Sequence, residues 1–337
     1  MNSRLLLSIV IPLHNTEKYI GQCISSIIDN EVDKSLYEVI VIDDGSSDSS
    51  SQIVQKYCSD YPNISLYTQE NFGVSVARMN GVSHAKGSFV WFIDSDDYVT
   101  DNAVYSVLDL IRHYADIDVF VTPMCLSFQD ESQNFVTHEL EKRYVISGKD
   151  LMKRKDFFLI GPPQFIVRRA LFSDQWLFFP KGIRYEDEYY ARVLKYRAEK
   201  FLILEKYLYV YRQWNGSHMH SVDLDVCSDV LSVYRHLDSF AEHEVAEEDQ
   251  SWFRNNIVSF LLEAITRGEP FFGSQAFNEF YHNNIEFIRS EWKKYKSYFS
   301  LKDRMLAGIL LKSPRLYSRF LARYRSYKVS QRGHQDD

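Results

Sequence analysis

Short apolar runs alternate with helical patterns along the first third of the chain. The runs are rich in valine and isoleucine, show no polar alternation, and occupy residues 6–11, 39–42, 64–67 and 89–93. Strands of this composition are buried on both faces, and helices between them are typical of a parallel, doubly wound sheet. The pattern therefore predicts an α/β fold with a mostly parallel sheet, helices on both of its faces, and functional side chains at the carboxyl ends of the strands.

The rest of the chain changes character twice. Another apolar run at residues 118–121 predicts a fifth strand, and the aromatic, irregular stretches at residues 161–163 and 178–182 are typical of a segment that builds a site. After about residue 225 the pattern is helical to the end, without repeats or low-complexity sequence. We therefore expect a catalytic domain over residues 1–222 and a helical C-terminal region over residues 223–337.

No apolar segment is long enough to cross a bilayer. The longest run, residues 5–13, is interrupted by Ser8, whereas a spanning helix needs about 20 apolar residues. Only Arg4 precedes the run as a base, and no small-residue cleavage site follows it, so a buried strand is a better interpretation than a signal peptide. The four cysteines lack C-x-x-C spacing, which favours a reducing compartment over a disulfide scaffold.

Charge is distributed unevenly along the chain. The 337 residues are 45% hydrophobic and carry a formal net charge of −7, a composition that argues against overall disorder. Residues 289–332 hold 13 Lys and Arg against 2 acids, whereas residues 1–288 hold 26 bases against 42 acids. The two parts therefore face different partners.

Polar side chains follow three of the predicted strands at the point where each strand ends. They are His14 and Asn15 after the first strand, Asp43 and Asp44 after the second, and Asp94, Asp96 and Asp97 after the fourth. Repulsion and partial burial would raise the pKa values of three neighbouring carboxyls unless a positive charge lies among them. Oxygen ligands without nearby His or Cys suit Mg²⁺ or Mn²⁺, which bind diphosphates through one or two carboxylates. The alternative is an acid-rich turn that caps the following helix.

A strand that ends in Asp-x-Asp is typical of two protein families. In the haloacid-dehalogenase-like phosphohydrolases the first Asp, here Asp94, would be a nucleophile. There the motif normally opens the fold, whereas here it follows three strands and continues with Asp97 and Tyr98. A phosphohydrolase that uses Asp94 as nucleophile is therefore an alternative interpretation of the sequence.

The sequence resembles the family 2 glycosyltransferases, which are nucleotide-sugar-dependent enzymes with the Rossmann-like GT-A fold. The resemblance rests on ordered motifs at residues 8–15 (SIVIPLHN), 41–48 (VIDDGSSD), 71–78 (NFGVSVAR) and 92–97 (FIDSDD), with a fifth at 185–187 (YED). Each motif is weak alone, but their order and spacing make the match specific. The resemblance covers residues 5 to about 217 and implies a GT-A catalytic domain.

The resemblance also implies which residues bind the donor. In the family the first strand end contacts the base and the second acid of the Asp-Asp-Gly motif, here Asp44, binds uracil, which implies a UDP-sugar. The residues implied for the nucleotide-sugar are Pro12, His14, Asn15, Glu17, Asp43, Asp44, Arg78, Asp94, Ser95 and Arg212. Those implied for Mn²⁺ or Mg²⁺ are Asp94, Asp96, Asp97 and His218. Two positions depart from the family: Met79 replaces a common Asn, and His14 replaces a common Tyr.

The fifth motif supplies the implied catalytic residues. Glycosyl transfer needs a base within hydrogen-bond reach of the acceptor hydroxyl. The resemblance assigns that role to Asp187, with Glu186 as its support, and implies inversion at the anomeric carbon. The alternative is an acidic first turn that stabilises a helix over residues 188–196 through its dipole. Trp176, Phe178 and Phe179 could stack on acceptor sugars or belong to the core.

The basic stretch over residues 289–332 interleaves cations with aromatic and aliphatic residues. Leu316, Phe320 and Arg323 fall at helical spacing, as in an interfacial helix on anionic lipid. Nucleic acid is not expected as a partner, because the acidic body would repel it and no nucleic-acid motif is present. A solvated helical bundle is the alternative.

Together these patterns predict a hexosyltransferase that uses a UDP-sugar. We expect it to extend a lipid-linked, polyprenyl diphosphate saccharide in O-antigen or capsule synthesis, as a peripheral protein on the cytoplasmic face of the inner membrane. A non-catalytic nucleotide-sugar binder is a further alternative.

Overall fold

The computed structural model describes residues 5–29, 32–129, 131–137, 140–154, 161–213, 223–298 and 301–319. The chain forms two compact units. The first comprises Met1–Gly182 and Glu186–Met219, and the second comprises Ile183–Tyr185 and His220–Asp337.

The first unit contains all the strands that the structure describes. They are β1 (Leu7–Leu13), β2 (Tyr37–Asp44), β3 (Ile64–Gln69), β4 (Phe89–Phe92), β5 (Tyr98–Val99), β6 (Val119–Val121), β7 (Met124–Ser127), β8 (Phe135–Val136), β9 (Tyr144–Ser147), β10 (Phe165–Arg168), β11 (Lys200–Ile203) and β12 (Tyr209–Arg212). The five apolar runs of the sequence correspond to β1, β2, β3, β4 and β6, so the predicted strands are confirmed.

Eight strands form the larger sheet, in the order β3-β2-β1-β4-β10-β6-β11-β9. The first four are parallel to one another, and β6 is parallel to β11. β10 and β9 run antiparallel to their neighbours. An antiparallel neighbour such as β10 does not need the crossover connection that a parallel strand requires. A second sheet has the order β5-β12-β7-β8.

Helices cover both faces of the larger sheet, as the apolar runs predict. The helices of this unit are α1 (Ile20–Ile28), α2 (Ser50–Asp60), α3 (Val74–His84), α4 (Ala103–His113), α5 (Gly148–Lys153) and α6 (Glu186–Arg197). Ile9 and Ile11 of β1 share one core cluster with residues of α1 and α4. Val10 points to the opposite face because side chains alternate along a strand. There α3 approaches so closely that a β-carbon on Gly81 would lie 2.2 Å from Val10 Cγ1.

Helix α2 begins after Ser46 and Ser47, although both serines are suited by type to cap a helix. The N-cap is Ser49, and the backbone N–H of Ser50 donates to Asp48 Oδ1 at 2.9 Å. The two earlier serines are used otherwise: the N–H of Ser46 donates to Asp43 and that of Ser47 to Asn15. These contacts tie the loop to the first strand end and delay the helix.

The second unit is helical throughout its described residues after 224, as predicted. Its helices are α7 (Asp225–Glu244), α8 (Glu247–Ile257), α9 (Ser259–Thr266), α10 (Gln275–Tyr295) and α11 (Leu301–Lys312). Tyr234, Phe240 and Phe253 are fully buried in its core. None of the helices that the structure describes combines the length and the apolar character required to span a membrane.

Candidate active site

Parallel order brings the carboxyl ends of β1, β2 and β4 to one edge of the larger sheet. Pro12 is buried within β1, and His14 and Asn15 follow the strand. The ring of His14 donates from Nδ1 to the carbonyl of Asp44 at 2.9 Å, and its Nε2 accepts from Asn15 Nδ2 at 3.0 Å. The first two strand ends are thus joined directly, and His14 performs this role at a position where the family commonly has Tyr.

Asn15 and Glu17 hold the loop after β2 from the side of the first strand. Asn15 has a φ of 51°, and its Oδ1 accepts from the N–H of Ser47 at 2.8 Å. Glu17 makes two hydrogen bonds to the loop after β2. Its N–H donates to Asp48 Oδ2 at 3.0 Å, and its Oε2 accepts from the N–H of Ser49 at 2.9 Å. A cavity of about 350 Å³ opens here, lined by Asn15, Thr16, Glu17, Lys18, Tyr19, Asp48 and Gln129.

The two acids that end β2 are buried, and they accept hydrogen bonds from different segments: Asp43 from the loop and helix after β2, Asp44 from the end of β3 and the loop after it. Asp43 accepts from the N–H of Ser46 at 2.9 Å and from the hydroxyl of Ser51. The carboxylate of Asp44 accepts from Gln69 and from the N–H groups of Phe72 and Gly73, each at 2.8 Å. Asp44, the residue implied to bind uracil, therefore also fixes the turn that leads into α3.

This chain has Met79 where the family commonly has Asn, and an asparagine, Asn80, follows one residue later. Asn80 Nδ2 donates to Gln69 Oε1 at 2.9 Å, and Gln69 Nε2 donates to Asp44. A side-chain relay therefore connects α3 to the end of β2, although Met79 itself carries no amide.

Arg78 occupies the centre of the site. Its side chain is only 6% exposed, its Nη2 donates to Asp94 Oδ1 at 2.9 Å, and its Nη1 donates to Glu186 Oε1 at 2.8 Å. Burial opposes the charge of the guanidinium, but the carboxylates of Asp94 and Glu186 outweigh it and raise the pKa of Arg78. The face of the guanidinium lies 5.2 Å from the ring centroid of Phe179. Arg78 thus links the strand that ends in Asp-x-Asp to the first turn of α6.

Asp97 is fully buried, and both of its oxygens are used within the protein. Oδ2 accepts from the hydroxyl of Tyr209, and Oδ1 accepts from the N–H of Arg212 at 2.8 Å. Burial, together with repulsion from Asp96 and Asp94, raises the pKa of Asp97 well above its usual range. Through these contacts Asp97 anchors β12 beside the strand end. Its role as a metal ligand stays a prediction.

Asp94 and Asp96 remain as oxygen donors for a cation. Both are half-buried at the end of β4, whereas Ser95 between them is buried and accepts a hydrogen bond from the hydroxyl of Thr16 at 3.0 Å. No group of three His, Cys, Asp or Glu residues suited to a metal occurs in the described part of the chain. The predicted ligand His218 lies outside the described residues. Two half-buried carboxylates fit a hard divalent ion that keeps several waters and takes its other ligands from a diphosphate.

Arg212 is held from several sides at the end of β12. Its Nε donates to the carbonyl of Asp96 at 2.9 Å and its Nη2 to Gln22 Oε1 at 2.7 Å. Its guanidinium lies 5.0 Å from the ring centroid of Tyr19 and 5.1 Å from that of Tyr98. The cation is therefore fixed directly beside Asp96, where it could bind an anionic ligand.

Asp187 is half-buried in the first turn of α6, which begins at Glu186 rather than at residue 188. Its Oδ1 accepts from the N–H of Glu188 at 2.9 Å, and a β-carbon on Gly161 would lie 3.6 Å from its Oδ2. Burial, reinforced by repulsion from Glu186 and Glu188 and opposed by Arg78, raises the pKa of Asp187 to about 7. A carboxylate with such a pKa can accept a proton near neutral pH.

The aromatic residues near position 178 differ in burial. Phe179 is buried, stacks on Tyr190 with a centroid distance of 4.2 Å, and packs edge-on against Phe92 at 5.4 Å. Phe179 is therefore a core residue, not a platform for acceptor sugars. Phe178 is half-buried with its ring centroid 4.9 Å from that of Tyr189.

Sequence reasoning missed two members of the site, Tyr209 and Gln69. Both act on an acid distant in sequence: Tyr209 donates to Asp97 across 112 residues, and Gln69 donates to Asp44 across 25 residues. The motif that contains Tyr209 is visible in the sequence, but only its Arg212 suggests a function.

Comparison with known proteins identifies the family to which the chain is similar. The profile of the family described as "Glycosyl transferase family 2" matches residues 8–176. The chain is 27% identical to glycosyltransferase GlyG of Streptococcus pneumoniae, over 77% of this chain and 87% of that protein. It is 30% identical to the poly(ribitol-phosphate) β-glucosyltransferase of Bacillus spizizenii over 63% of this chain. That alignment covers only 33% of the larger relative.

Solved structures share the fold. The crystal structure of S. aureus TarS 1–349 in complex with UDP-GlcNAc superimposes with a TM-score of 0.60 and 20% sequence identity, covering 88% of this chain and 93% of that one. At this level of identity the likeness establishes the architecture, a GT-A-like α/β domain followed by helices.

Proposed function

Because the chain belongs to glycosyl transferase family 2 and is therefore a glycosyltransferase, we propose that it transfers a hexosyl group from a UDP-sugar to an acceptor hydroxyl with inversion. The observation that carries this proposal is the position of Asp187. Its carboxyl has a pKa of about 7 and directly follows Glu186, which Arg78 connects to Asp94. The proposed base therefore follows directly in sequence a residue that Arg78 joins by hydrogen bonds to Asp94, at the proposed site of the donor diphosphate.

The proposed step is a single displacement. Asp187 accepts the proton of the acceptor hydroxyl as the hydroxyl oxygen bonds to the anomeric carbon. The bond from that carbon to the diphosphate oxygen breaks on the opposite side, and UDP leaves with the electron pair. One base acting in line accounts for inversion. Glu186 is fixed by Arg78 and therefore orients the turn that carries the base.

The donor is proposed to lie across the carboxyl ends of β1, β2 and β4. Asn15, Glu17 and Asp44 border the part assigned to the nucleoside, next to the 350 Å³ cavity. Asp94 and Asp96 would hold Mn²⁺ or Mg²⁺, which when bound neutralises charge on the departing UDP. Arg212 adds a fixed cation beside them. TarS, which shares the fold, was crystallised with UDP-GlcNAc and with UDP, and this supports a UDP-sugar as donor.

For the acceptor we propose a lipid-linked saccharide of a surface polysaccharide. Relatives named for poly(ribitol-phosphate) glycosylation and for minor teichoic acid biosynthesis support a cell-surface glycan as the product class. Because a lipid-linked acceptor is anchored in a membrane, we propose that the enzyme works as a peripheral protein at the cytoplasmic face of the inner membrane.

One face of α11 supports peripheral membrane binding. Leu301 and Met305 are 72% and 63% exposed, and Leu316 beyond the helix is 54% exposed. Between and after them lie the exposed bases Arg304, Lys312, Arg315 and Arg319. Apolar residues flanked by cations suit an anionic lipid surface. Some bases of this region also donate to carbonyls of the unit: Arg289 to Leu311 at 2.7 Å, Arg304 to Ser297 at 3.1 Å and Arg315 to Gly273 at 3.0 Å. Phe320 and Arg323 lie outside the described residues.

The donor proposal is tested with purified full-length protein, Mn²⁺ and a panel of UDP-glucose, UDP-galactose and UDP-N-acetylhexosamines. We expect slow, metal-dependent release of UDP from one of these donors, and calorimetric binding of UDP that weakens in Asp96→Ala. A phosphohydrolase acting through Asp94 would instead release phosphate from simple esters. A non-catalytic binder would bind UDP without releasing it from any donor.

Membrane binding is tested by sedimentation with vesicles of phosphatidylglycerol and phosphatidylcholine. We expect the wild type to sediment with the anionic vesicles and Leu301→Glu/Met305→Glu to stay in solution. Tyr105→Glu is the matched control, because Tyr105 is 55% exposed on the first unit. Equal sedimentation of all three proteins would contradict the proposed surface.

A further inference from the structure

The turn after β4 begins where the chain leaves the larger sheet. The N–H of Ile93 still donates to the carbonyl of Val10 in β1 at 3.0 Å, but the next N–H along the chain, that of Asp94, donates to the hydroxyl of Tyr209 at 3.3 Å. A backbone N–H that is shielded from water needs such an acceptor. One tyrosine hydroxyl therefore replaces the sheet as the partner of the first proposed metal ligand.

The same hydroxyl also binds the end of the turn. Tyr209 is fully buried, and its hydroxyl donates to Asp97 Oδ2. A hydroxyl group has one proton to donate and lone pairs that accept, so this group serves both contacts at once. It links the N–H of Asp94, at the start of the turn, to the carboxylate of Asp97, at its end.

A second residue of β12 holds the middle of the turn. The Nε of Arg212 donates to the carbonyl of Asp96 at 2.9 Å, and its N–H donates to Asp97 Oδ1 at 2.8 Å. β12 also pairs with β5, which directly follows the turn. The backbone of both Asp94 and Asp96 is therefore held against one strand, whereas the two residues themselves stay half-buried.

We propose that Tyr209 is a positioning residue for the divalent ion: by linking the N–H of Asp94 to Asp97, its hydroxyl fixes the turn so that Asp94 and Asp96 bind one ion together. This inference rests on the proposed function, which assigns the two carboxylates to Mn²⁺ or Mg²⁺. Tyr209 acts through the backbone of the turn and contacts neither the ion nor the donor. Hydrogen bonds that orient metal ligands in this way typically contribute about 10- to 100-fold to metal affinity.

The ring of Tyr209 has a separate, structural role, because it belongs to the core cluster that includes Cys23 and Ile93. Tyr209→Phe keeps the ring and removes only the hydroxyl, so it separates the packing of the residue from its hydrogen bonds. Tyr234→Phe is the matched control. Tyr234 is also fully buried, and its hydroxyl donates to the carboxylate of Glu291 at 3.1 Å within the helical unit.

The test measures UDP binding to the full-length protein by calorimetry, at a series of Mn²⁺ concentrations and in EDTA. For Tyr209→Phe we expect the Mn²⁺ concentration that half-saturates UDP binding to rise about 10- to 100-fold, with the wild-type affinity for UDP in EDTA. Tyr234→Phe should keep the wild-type value of both. A wild-type Mn²⁺ requirement in Tyr209→Phe overturns the positioning role. An equal loss of both affinities, or the same rise in Tyr234→Phe, also overturns it, because either result marks a merely structural effect.

Failure of this inference is distinguishable from failure of the proposed function. If the wild type binds no UDP, or binds it equally well with and without Mn²⁺, the proposed metal and donor site is wrong, and the role of Tyr209 with it. If the wild type requires Mn²⁺ and folded Tyr209→Phe shows the same requirement, only the role of Tyr209 is wrong.

A second variant covers the case in which Tyr209→Phe does not fold. Tyr209→para-aminophenylalanine keeps a group that donates to Asp97, but its amino group is a poor acceptor for the N–H of Asp94. A raised Mn²⁺ requirement in this variant supports the positioning role, and the wild-type requirement contradicts it.

Discussion

Arg78 and Glu186, 108 residues apart in sequence, form a buried ion pair with an Nη1 to Oε1 distance of 2.8 Å. The same guanidinium binds Asp94 through Nη2. One side chain on α3 therefore connects the end of β4, where we place the donor diphosphate, to the helix that carries Asp187. The Nε of Arg78 has no hydrogen-bond partner among the described residues, although it is buried.

Removal of Arg78 should damage both stability and turnover. Arg78→Met leaves two buried or half-buried carboxylates without their cation, and breaking such a pair costs about 3–5 kcal/mol. We expect a loss of this size in the free energy of unfolding from urea denaturation, together with loss of UDP release. Arg143→Met is the control, because Arg143 pairs with Glu205 near the surface with a side chain that is 41% exposed. It should cost less than about 1 kcal/mol. Similar losses for the two variants would contradict the central role of Arg78.

The pH dependence of turnover should follow Asp187. The base works only when ionised, and its pKa is raised to about 7. We therefore expect kcat for UDP release to be low at acidic pH and to rise through a midpoint near this value. A midpoint in the ordinary range of an exposed carboxyl, about 4, would show that Asp187 is not the group being titrated.

The strand ends were predictable from sequence because their signals are local. Apolar runs mark the strands, and Asp43, Asp44, Asp94 and Asp96 follow them directly, so parallel order alone brings them to one edge. The roles within the cluster were not predictable. Asp97 differs from Asp96 in being fully buried and in accepting from Tyr209, which comes from a strand 112 residues later. Burial and a distant partner cannot be read from the motif, so the sequence could not predict that both oxygens of Asp97 accept hydrogen bonds within the protein.

The same reason explains the other differences. Ser46 and Ser47 are good capping residues by type, but contacts with Asp43 and Asn15 use their backbone N–H groups. The ion pairs of Arg184 with Asp223 and Asp229 depend on how α7 packs within its unit. Apolar periodicity predicts that this helix exists, but it does not predict which carboxylates meet a cation.

Substitutions of Asp96 and Asp97 should have different effects, because we propose that Asp96 binds the metal ion and that Asp97 anchors β12. Asp96→Asn should weaken Mn²⁺-dependent UDP binding and should lower the free energy of unfolding less than Asp97→Asn does, because Asp96 is half-buried and Asp97 is fully buried. Asp97→Asn places an amide opposite the hydroxyl of Tyr209 and the N–H of Arg212, and disrupted buried hydrogen bonds cost about 1–3 kcal/mol. Calorimetry and urea denaturation check the two variants. If Asp97→Asn is as stable as the wild type, the anchoring role is wrong.

Gly81→Ala should destabilise the protein, because α3 packs too closely against β1 to accommodate a methyl group at this position. A β-carbon at Gly81 would meet Val10 Cγ1 at 2.2 Å, and overpacking of this kind costs about 1–3 kcal/mol. Gly21→Ala on α1 is the matched control, because its nearest neighbour, Tyr57 Oη, would be 3.8 Å away. It should be neutral or gain up to about 1 kcal/mol from helix propensity. Thermal denaturation in parallel tests the pair, and equal stability of the two variants would refute the close contact.

The most direct test of the account is the turnover of Asp187→Asn at pH 8 with saturating UDP-sugar and Mn²⁺. Loss of a general base lowers rates by about 10²–10⁴, so UDP release should fall by at least about a hundredfold, while UDP itself binds with wild-type affinity. Turnover within a few-fold of the wild type in this variant would contradict the assignment of Asp187 as the base and the mechanism built on it.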